Sequence, residues 1–141
     1  MEPADVLALC REHAAAEAEF DIDRVLATLV PDPTYRFYPT NRSLSGWDNV
    51  EAFYRLEYPK FARTVTAFEV LREWVNNATA LQEYVIAMRG DDGAVTTYQV
   101  MSMMTVDHAL ERITGETLYC DEGFVRRLLG SLWDKTNPLS P

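Results

Sequence analysis

Between residues 64 and 120 the chain has four long segments rich in β-branched, aromatic and methionine residues, which favour strands. Short polar turns separate these segments, at Asn76-Asn77, at Gly90 to Gly93 and at Asp107 to Glu111. Strands joined by such short turns pair antiparallel. The sequence therefore predicts a meander of four strands, over about 64–75, 79–89, 95–106 and 112–120.

Helical patterns precede the meander. The segment from Pro3 to about Phe20 is rich in alanine and glutamate, which are strong helix formers. Its apolar side is marked by residues that recur at intervals of three and four, namely Val6, Leu9, Cys10, His13, Ala16 and Phe20. A second, short helix is predicted after Asp21, with Asp21 or Asp23 as its cap, and it stops at Pro31.

The remaining segments are shorter. Aromatic residues predict a strand over 35–38, and a polar loop follows over 40–46. A third helix is predicted from Trp47, with Pro59 closing it. A closing helix is predicted over 124–132.

Helices followed by a run of antiparallel strands indicate an α+β fold. A chain of 141 residues favours one domain with a core of its own. We expect this domain to cover residues 1–130 and residues 131–141 to be a mobile tail.

The charge balance argues against two classes of partner. Lysine and arginine total 13 against 22 aspartate and glutamate residues, which gives a net charge of −9. Nucleic acids and anionic membrane surfaces both attract clustered basic residues, so we expect neither as a partner. No signal peptide is visible, and no apolar run approaches the ~18 residues of a membrane helix. We therefore expect a cytoplasmic protein.

The two cysteines, Cys10 and Cys120, lie far apart and form no cluster with histidine. This spacing predicts no metal site. Apolar neighbours would raise the pKa of Cys120 and leave its thiol inert.

Several short segments in this order resemble the SnoaL-like branch of the nuclear-transport-factor-2-like superfamily. They are Asp21-Ile22-Asp23 before Val25-Leu26, Tyr38-Pro39, Leu44-Ser45-Gly46 leading to Phe53-Tyr54, and the strand from Ile113 to Asp121. The branch includes polyketide cyclases, ketosteroid isomerases, limonene epoxide hydrolases and scytalone dehydratases. The resemblance implies a cone-shaped, strongly bent antiparallel or mixed sheet, with three N-terminal helices packed on its concave face. It also implies a cavity at the open end and a homodimer through the outer sheet face.

The resemblance transfers only part of each family site. His13 falls where ketosteroid isomerases carry their oxyanion-binding tyrosine, Tyr38 where they carry the aspartate base, and Ser102 near their second oxyanion donor. A tyrosine hydroxyl with an ordinary pKa near 10 is a poor base at neutral pH, and a serine cannot fully replace a protonated carboxylic acid.

The other family sites fit no better. The charged triad of the epoxide hydrolases is replaced by Tyr84, Ile86 and Leu118, so we reject their water activation. Tyr38 matches a tyrosine of scytalone dehydratases, whose two strand histidines have no counterpart here.

Strand alternation sorts the residues that can face a cavity. By analogy with the family, the inner faces carry Gln82, Tyr84, Ile86 and Met88 on the second long strand, Tyr98, Val100, Ser102 and Met104 on the third, and Glu116, Leu118 and Cys120 on the last. The opposite face, with Met101 and Met103, is also apolar. A sheet that is apolar on both sides suggests that its outer face is buried against a second subunit.

His13 and Glu116 are the preferred acid–base pair. An imidazole exchanges protons near neutral pH, and a carboxyl group inside a cone has its pKa raised by desolvation. Two structural readings remain open: His13 as a buried core histidine, and Glu116 in an ion pair with Arg112, Arg55 or Arg63.

Tyr38 and Tyr84 are candidates to donate hydrogen bonds to a carbonyl oxygen, or else they are core residues. Tyr54, Tyr58 and Trp47 either line the entrance or cover the core.

Three functions remain open. The first is an enzyme that isomerises, cyclises or dehydrates an apolar cyclic carbonyl compound by acid–base chemistry without a cofactor. The second is a non-catalytic binding protein for a hydrophobic small ligand. The third is a dimeric interaction module with a filled core.

Overall fold

The computed structural model describes residues 1–140 and shows an α+β fold around one mixed sheet. The strands are β1 (Thr34–Tyr38), β2 (Arg42–Ser45), β3 (Val65–Val75), β4 (Thr79–Arg89), β5 (Val95–Asp107), β6 (Arg112–Tyr119) and β7 (Asn137–Pro138). Their order in the seven-stranded sheet is β3-β4-β5-β6-β1-β2-β7. Only the β1–β6 pair is parallel; the other neighbours run antiparallel. The predicted meander corresponds to β3 to β6 and is confirmed.

Bulges bend the long strands. The register shifts between Val65 and Ala67 and between Val70 and Arg72 in the β3–β4 pair, and again between Thr105 and Val106 in the β5–β6 pair. An extra residue in one strand of a pair bends it and increases the local twist. These bulges therefore help to form a concave inner face.

Gly115 allows β1 and β6 to approach closely. It has a φ of +140°, and a Cβ at this position would lie 1.8 Å from the carbonyl oxygen of Thr34. Any other residue here would collide with backbone, so the crossing depends on glycine.

The helices are α1 (Pro3–Ala18), α2 (Ile22–Ala27), α3 (Trp47–Ala52), α4 (Tyr58–Thr64) and α5 (Glu122–Leu129). Asp21 caps α2 by accepting a hydrogen bond from the Arg24 amide, as one of the two predicted caps. The predicted face of α1 is buried at Val6, Cys10, His13 and Ala16. This face packs against β3, β4 and β6, so the long helix lies on the concave side of the sheet.

Two local predictions were wrong. The predicted loop over 40–46 contains β2, which pairs with β1 and buries Ser43 and Leu44. Pro59 does not close the third helix, because a π-helical turn over Phe53–Glu57 leads into α4, where Pro59 occupies the first turn. A proline is tolerated there since the amide it lacks has no partner within the helix.

Packing continues beyond the predicted domain end at residue 130. A 3₁₀ helix covers Gly130–Lys135, with Leu132 buried, and β7 then pairs with β2. Residues 131–138, assigned above to a mobile tail, therefore contribute to the core and the sheet edge. The tail prediction also includes Pro141, which lies outside the described residues. Within residues 1–140, no helix combines the length and apolar character needed to cross a membrane.

Candidate functional site

A cavity of about 440 Å³ lies between the concave face of the sheet and the helices. This volume falls in the range of small-molecule sites. Its wall is mostly apolar and rich in aromatic rings, including Phe37, Phe53, Tyr58, Phe61, Tyr84 and Phe124. Seven of the predicted ligand-binding residues line it, namely Tyr84, Ser102, Tyr54, Tyr58, Ile86, Met104 and Leu118, and so does the predicted catalytic residue Glu116.

Exposed aromatic residues mark the mouth of the cavity. Phe20, which follows α1, and Phe68 on the edge strand β3 both line the cavity while 53% and 56% exposed. Val70 lies beside them on β3 and is also exposed. We define these three residues as the mouth.

Polar side chains gather in another part of the lining. Glu17 of α1, Ser102 of β5 and Glu116 of β6 line the cavity there, together with the hydroxyl groups of Tyr35 and Tyr54. We call these five residues the polar end. Buried polar groups need partners, so their hydrogen bonds decide what this end can do.

Glu116 is the acidic group of this end. Neighbouring strands place Met104 opposite Glu116, and Ser102 two residues away on the same face donates a short hydrogen bond to Oε1 of Glu116. Protein atoms enclose the carboxyl group, while part of the side chain remains open to the cavity. Desolvation and the nearby Glu17 charge raise the pKa of Glu116 to about 7, against the opposing effects of the Ser102 hydrogen bond and of His13.

His13 lies behind this wall, 1% exposed, and does not line the cavity. Its Nδ1 is 2.7 Å from Oγ1 of Thr28, and its Nε2 is 3.1 Å from the Tyr54 hydroxyl and 3.2 Å from Oε1 of Glu17. Burial lowers the pKa of His13, but the charge and hydrogen bond of Glu17, together with Glu116, raise it above its ordinary value of 6.5.

Two tyrosines connect His13 to the cavity. The Tyr54 hydroxyl donates to Oε1 of Glu17 at 2.8 Å and lies 2.8 Å from the Tyr35 hydroxyl. Since a hydroxyl has one proton, Tyr54 accepts from Tyr35 when it donates to Glu17. Burial raises the pKa of Tyr35 and of Tyr54 well above the ordinary value, so both remain protonated donors.

The structure brings His13 and Glu116 to the same side of the sheet. One ligand atom from each, with one from Glu17, lies within 4.8 Å of the other two. No ion pair among residues 1–140 involves Glu116, and Arg55 pairs with Asp23 and Glu51 instead. The alternative of a salt bridge from Glu116 to Arg55, Arg63 or Arg112 is therefore contradicted.

The same three side chains offer donor atoms that a divalent cation accepts. Here the Tyr54 hydroxyl hydrogen-bonds both Nε2 of His13 and Oε1 of Glu17, and Ser102 bonds Glu116. These hydrogen bonds engage Nε2 of His13 and one oxygen of each carboxyl group.

Tyr38 is not part of this site. Alternation in β1 turns Tyr35 and Phe37 inward, so Tyr38 points to the outer face and stacks on Tyr119 with ring centroids 5.1 Å apart. Its predicted place in the catalytic centre was wrong.

Three other predicted residues also lie outside the cavity lining. Trp47 begins α3 and packs against the core, Met88 is fully buried in it, and Cys120 follows β6. Burial and Glu116 raise the pKa of Cys120 to about 12, so it remains an inert thiol.

Glu17 and Tyr35 were missed in the sequence. Glu17 follows His13 by four residues, a spacing that brings two side chains together on a helix. Tyr35 shares an inner face with Phe37 by simple alternation. Both signals are present in the sequence, but neither by itself shows that the side chain reaches a cavity.

Structural comparison places this fold among known proteins. Similar structures include an NTF2-like protein from Burkholderia xenovorans LB400, with a TM-score of 0.69 and 14% identity over 92% of this chain and 99% of that one. A protein from Shewanella denitrificans OS-217 assigned to the SnoaL-like polyketide cyclases has a TM-score of 0.66 and 14% identity, over 92% of this chain and 98% of that one. A protein from Kribbella flavida DSM 17836 assigned as a ketosteroid isomerase has a TM-score of 0.67 and 15% identity, over 85% of this chain and 80% of that one.

No protein-family model matches the sequence, and no curated protein matches it. The structural likeness therefore shows the fold, which is the nuclear-transport-factor-2-like fold of the sequence resemblance. Function does not follow from fold alone.

Proposed function

We propose that this protein is an enzyme that uses Glu116 to move a proton on an apolar, ring-containing carbonyl compound. The reaction class is isomerisation, cyclisation or dehydration, with no metal or redox cofactor. One observation carries the proposal: an enclosed carboxyl group faces an apolar cavity at an end that also holds tyrosine hydroxyls.

The pKa of Glu116 suits this role. A group with a pKa of about 7 is present in both protonation states at neutral pH, which is the best compromise for a general acid–base. As carboxylate, Glu116 accepts a proton from the carbon next to the carbonyl, and the electron pair moves to the carbonyl oxygen. It then returns the proton to another atom of the same molecule, so the enzyme ends unchanged.

Tyr84 is the best placed donor for the oxygen on which this charge develops. Its ring lines the cavity against Phe68, and its hydroxyl forms no hydrogen bond within residues 1–140. Burial, with Glu116 as the next cause, raises the pKa of Tyr84 well above the ordinary value, so it remains a donor. A hydrogen-bond donor directed at a developing oxyanion stabilises the transition state.

His13 and Glu17 adjust Glu116 rather than touch the substrate. The negative charge of Glu17 raises the pKa of Glu116, and His13 lowers it. These opposite effects hold the carboxyl group near neutrality. The sequence instead predicts that His13 and Glu116 act together as the acid–base pair.

The lining also suggests the charge of the ligand. Among residues 1–140, no lysine, arginine or histidine lines the cavity, whereas Glu17 and Glu116 do. An anionic substrate would meet no counter-charge there and would lose its hydration. A neutral ring compound fits these walls best.

Two alternatives from the sequence can be compared with this proposal. A filled core conflicts with a cavity of about 440 Å³. A binding protein without turnover would use the same aromatic walls and would not require the raised pKa of Glu116. Only an assay of chemistry separates the two remaining functions.

Deuterium uptake tests the proposal before any substrate is known. A panel of cyclic ketones and enones is incubated with the protein in D₂O, and deuterium at the carbon next to the carbonyl is measured by mass spectrometry. We expect uptake for ketones that bind, and its loss in Glu116→Gln. Binding without uptake by any member would favour the carrier function.

We also propose a homodimer through the outer sheet face. That face exposes Trp74, Met101 and Tyr119, at 47%, 37% and 49%. Exposed apolar side chains of this size are common at interfaces, and in a two-fold dimer the same face of the second copy would cover them. Sedimentation velocity should give a dimer for the natural chain and a monomer for Met101→Glu; a monomeric natural chain would contradict this.

A further inference from the structure

Each ring nitrogen of His13 faces a different kind of partner. Nδ1 points to a neutral hydroxyl, Oγ1 of Thr28, at 2.7 Å. Nε2 points to the Tyr54 hydroxyl and the Glu17 carboxylate, at 3.1 and 3.2 Å. A neutral imidazole carries its proton on only one nitrogen, and the hydrogen bond of the other nitrogen decides which one.

The hydrogen bond that Thr28 itself donates determines which ring nitrogen of His13 carries the proton. The residue ends α2 and is 7% exposed, and its hydroxyl donates to the backbone carbonyl of Val25 at 2.6 Å. A hydroxyl has a single proton, so Oγ1 has none left for His13. The short contact to Nδ1 is favourable only if Nδ1 is the donor.

We propose that Thr28 is a positioning residue that holds the proton of His13 on Nδ1, so that Nε2 alone exchanges a proton with Tyr54 and Glu17. The inference rests on the proposed function for its purpose, since His13 adjusts Glu116, but its geometry is independent of turnover. The side chains that surround His13 come from four elements: Glu17 from α1, Thr28 from the end of α2, Tyr54 from the π-helical turn and Glu116 from β6.

With the proton held on Nδ1, both ring nitrogens of His13 have a partner in each protonation state. When His13 is protonated, Nδ1–H donates to Thr28 and Nε2–H donates to Glu17 and Tyr54. When it is neutral, only Nε2 has lost its proton, and the Tyr54 hydroxyl can turn to donate to it. The ring therefore changes charge without rotating, next to the carboxyl group that it adjusts.

Nuclear magnetic resonance can observe this tautomer directly. The ¹⁵N shifts of the imidazole distinguish Nδ1–H from Nε2–H in the neutral ring, and the exposed His108 serves as an internal reference. We expect His13 of the natural protein to show Nδ1–H at a pH above its pKa. The Nε2–H form in the natural protein would overturn the proposal without any variant.

Two substitutions test the role of Thr28. In Thr28→Val a methyl group replaces the acceptor, so Nδ1–H would be a buried donor without a partner. We expect the neutral ring to change to the Nε2–H form, and the pKa of His13 to fall by about one unit, a tenfold change in proton affinity. Thr28→Ser restores the hydroxyl and should restore both values, while His108 stays unchanged in both variants.

A Thr28→Val protein that keeps Nδ1–H and an unchanged pKa of His13 would contradict the proposal. So would a Thr28→Ser protein that resembles Thr28→Val, because the effect would then come from packing. The deuterium-uptake assay is separate: if it fails while the tautomer follows Thr28, the proposed reaction is wrong and the positioning role stands.

Discussion

The two ends of the cavity are built on different principles. The mouth is formed by Phe20, Phe68 and Val70, whose side chains are apolar and exposed and have no hydrogen-bonding groups. The polar end is mostly buried, and each of its groups forms a hydrogen bond with a residue from a different element. A ligand in the cavity therefore contacts an adaptable apolar surface at the mouth and fixed polar groups at the polar end. We expect changes at the mouth to affect affinity and changes at the polar end to affect chemistry.

The largest effect is expected for Glu116→Gln. Glutamine keeps the shape and the hydrogen bond from Ser102 but cannot transfer the proton, so deuterium uptake should fall by about 10² to 10⁴. The matched control is Glu69→Gln on exposed β3, which should retain the natural rate. Equal uptake in both variants would mean that another group is the base.

Tyr84→Phe should have the next largest effect. Removal of one oxyanion donor commonly lowers the rate by about 10² or more, and ligand affinity should change much less. Tyr38→Phe is the control because this hydroxyl belongs to the outer face. Uptake that falls equally in both variants would contradict the assignment of Tyr84.

The pH dependence of stability reports on the polar end. A carboxyl group whose pKa rises from 4.5 to about 7 on folding binds its proton more tightly in the folded state. The contribution of Glu116 to the free energy of unfolding is therefore full below pH 4.5 and is lost as the pH rises towards 7. The pKa of His13 is also raised, above 6.5, so the stabilisation from His13 is likewise lost as the pH rises.

The natural protein should therefore lose part of its free energy of unfolding across this window. Glu116→Gln should abolish most of that loss and be more stable at pH 8, by about 3 kcal/mol at most. Urea denaturation at pH 4.5 and pH 8 measures the difference. A natural protein that is stabilised through this window relative to Glu116→Gln would contradict the raised pKa.

The smallest effect is expected at the mouth. Phe68→Ala removes apolar contact area and should weaken ligand affinity about fivefold, with little change in the rate of the bound complex. Leu110→Ala is the control, because Leu110 is similarly exposed, lies in the turn between β5 and β6 and does not line the cavity. Equal affinities for Phe68→Ala and Leu110→Ala would place the entrance elsewhere.

Much of the fold could be predicted because turns and periodicity are local signals. The meander followed from its turns, and the buried face of α1 from its spacing. The strand β2 was missed because Arg42-Ser43-Leu44-Ser45 is mostly polar, and only pairing with β1 makes it a strand. Pro59 was wrongly predicted to end α3, because in a sequence a proline in the first turn of a helix looks the same as a proline that follows the end of a helix.

The site was predicted less well because several of its members are held by tertiary contacts. Strand alternation gave Glu116, Ser102 and Tyr84 correctly as inner residues. His13 was expected inside the cavity, but Tyr54 and Glu17 stand between it and the interior. No pattern in the sequence shows that the π-helical turn brings Tyr54 to that place.

The most direct test is the pKa of Glu116 itself. A ¹³C-detected titration of the glutamate carboxyl groups, with Glu116→Gln used to assign the signal, gives this value without a substrate. We expect one carboxyl group to titrate near pH 7 and to be missing from the variant. A titration of Glu116 at or below its ordinary value of 4.5 would show that the carboxyl group is simply solvated or ion-paired, and the proposed chemistry would lose its acid–base group.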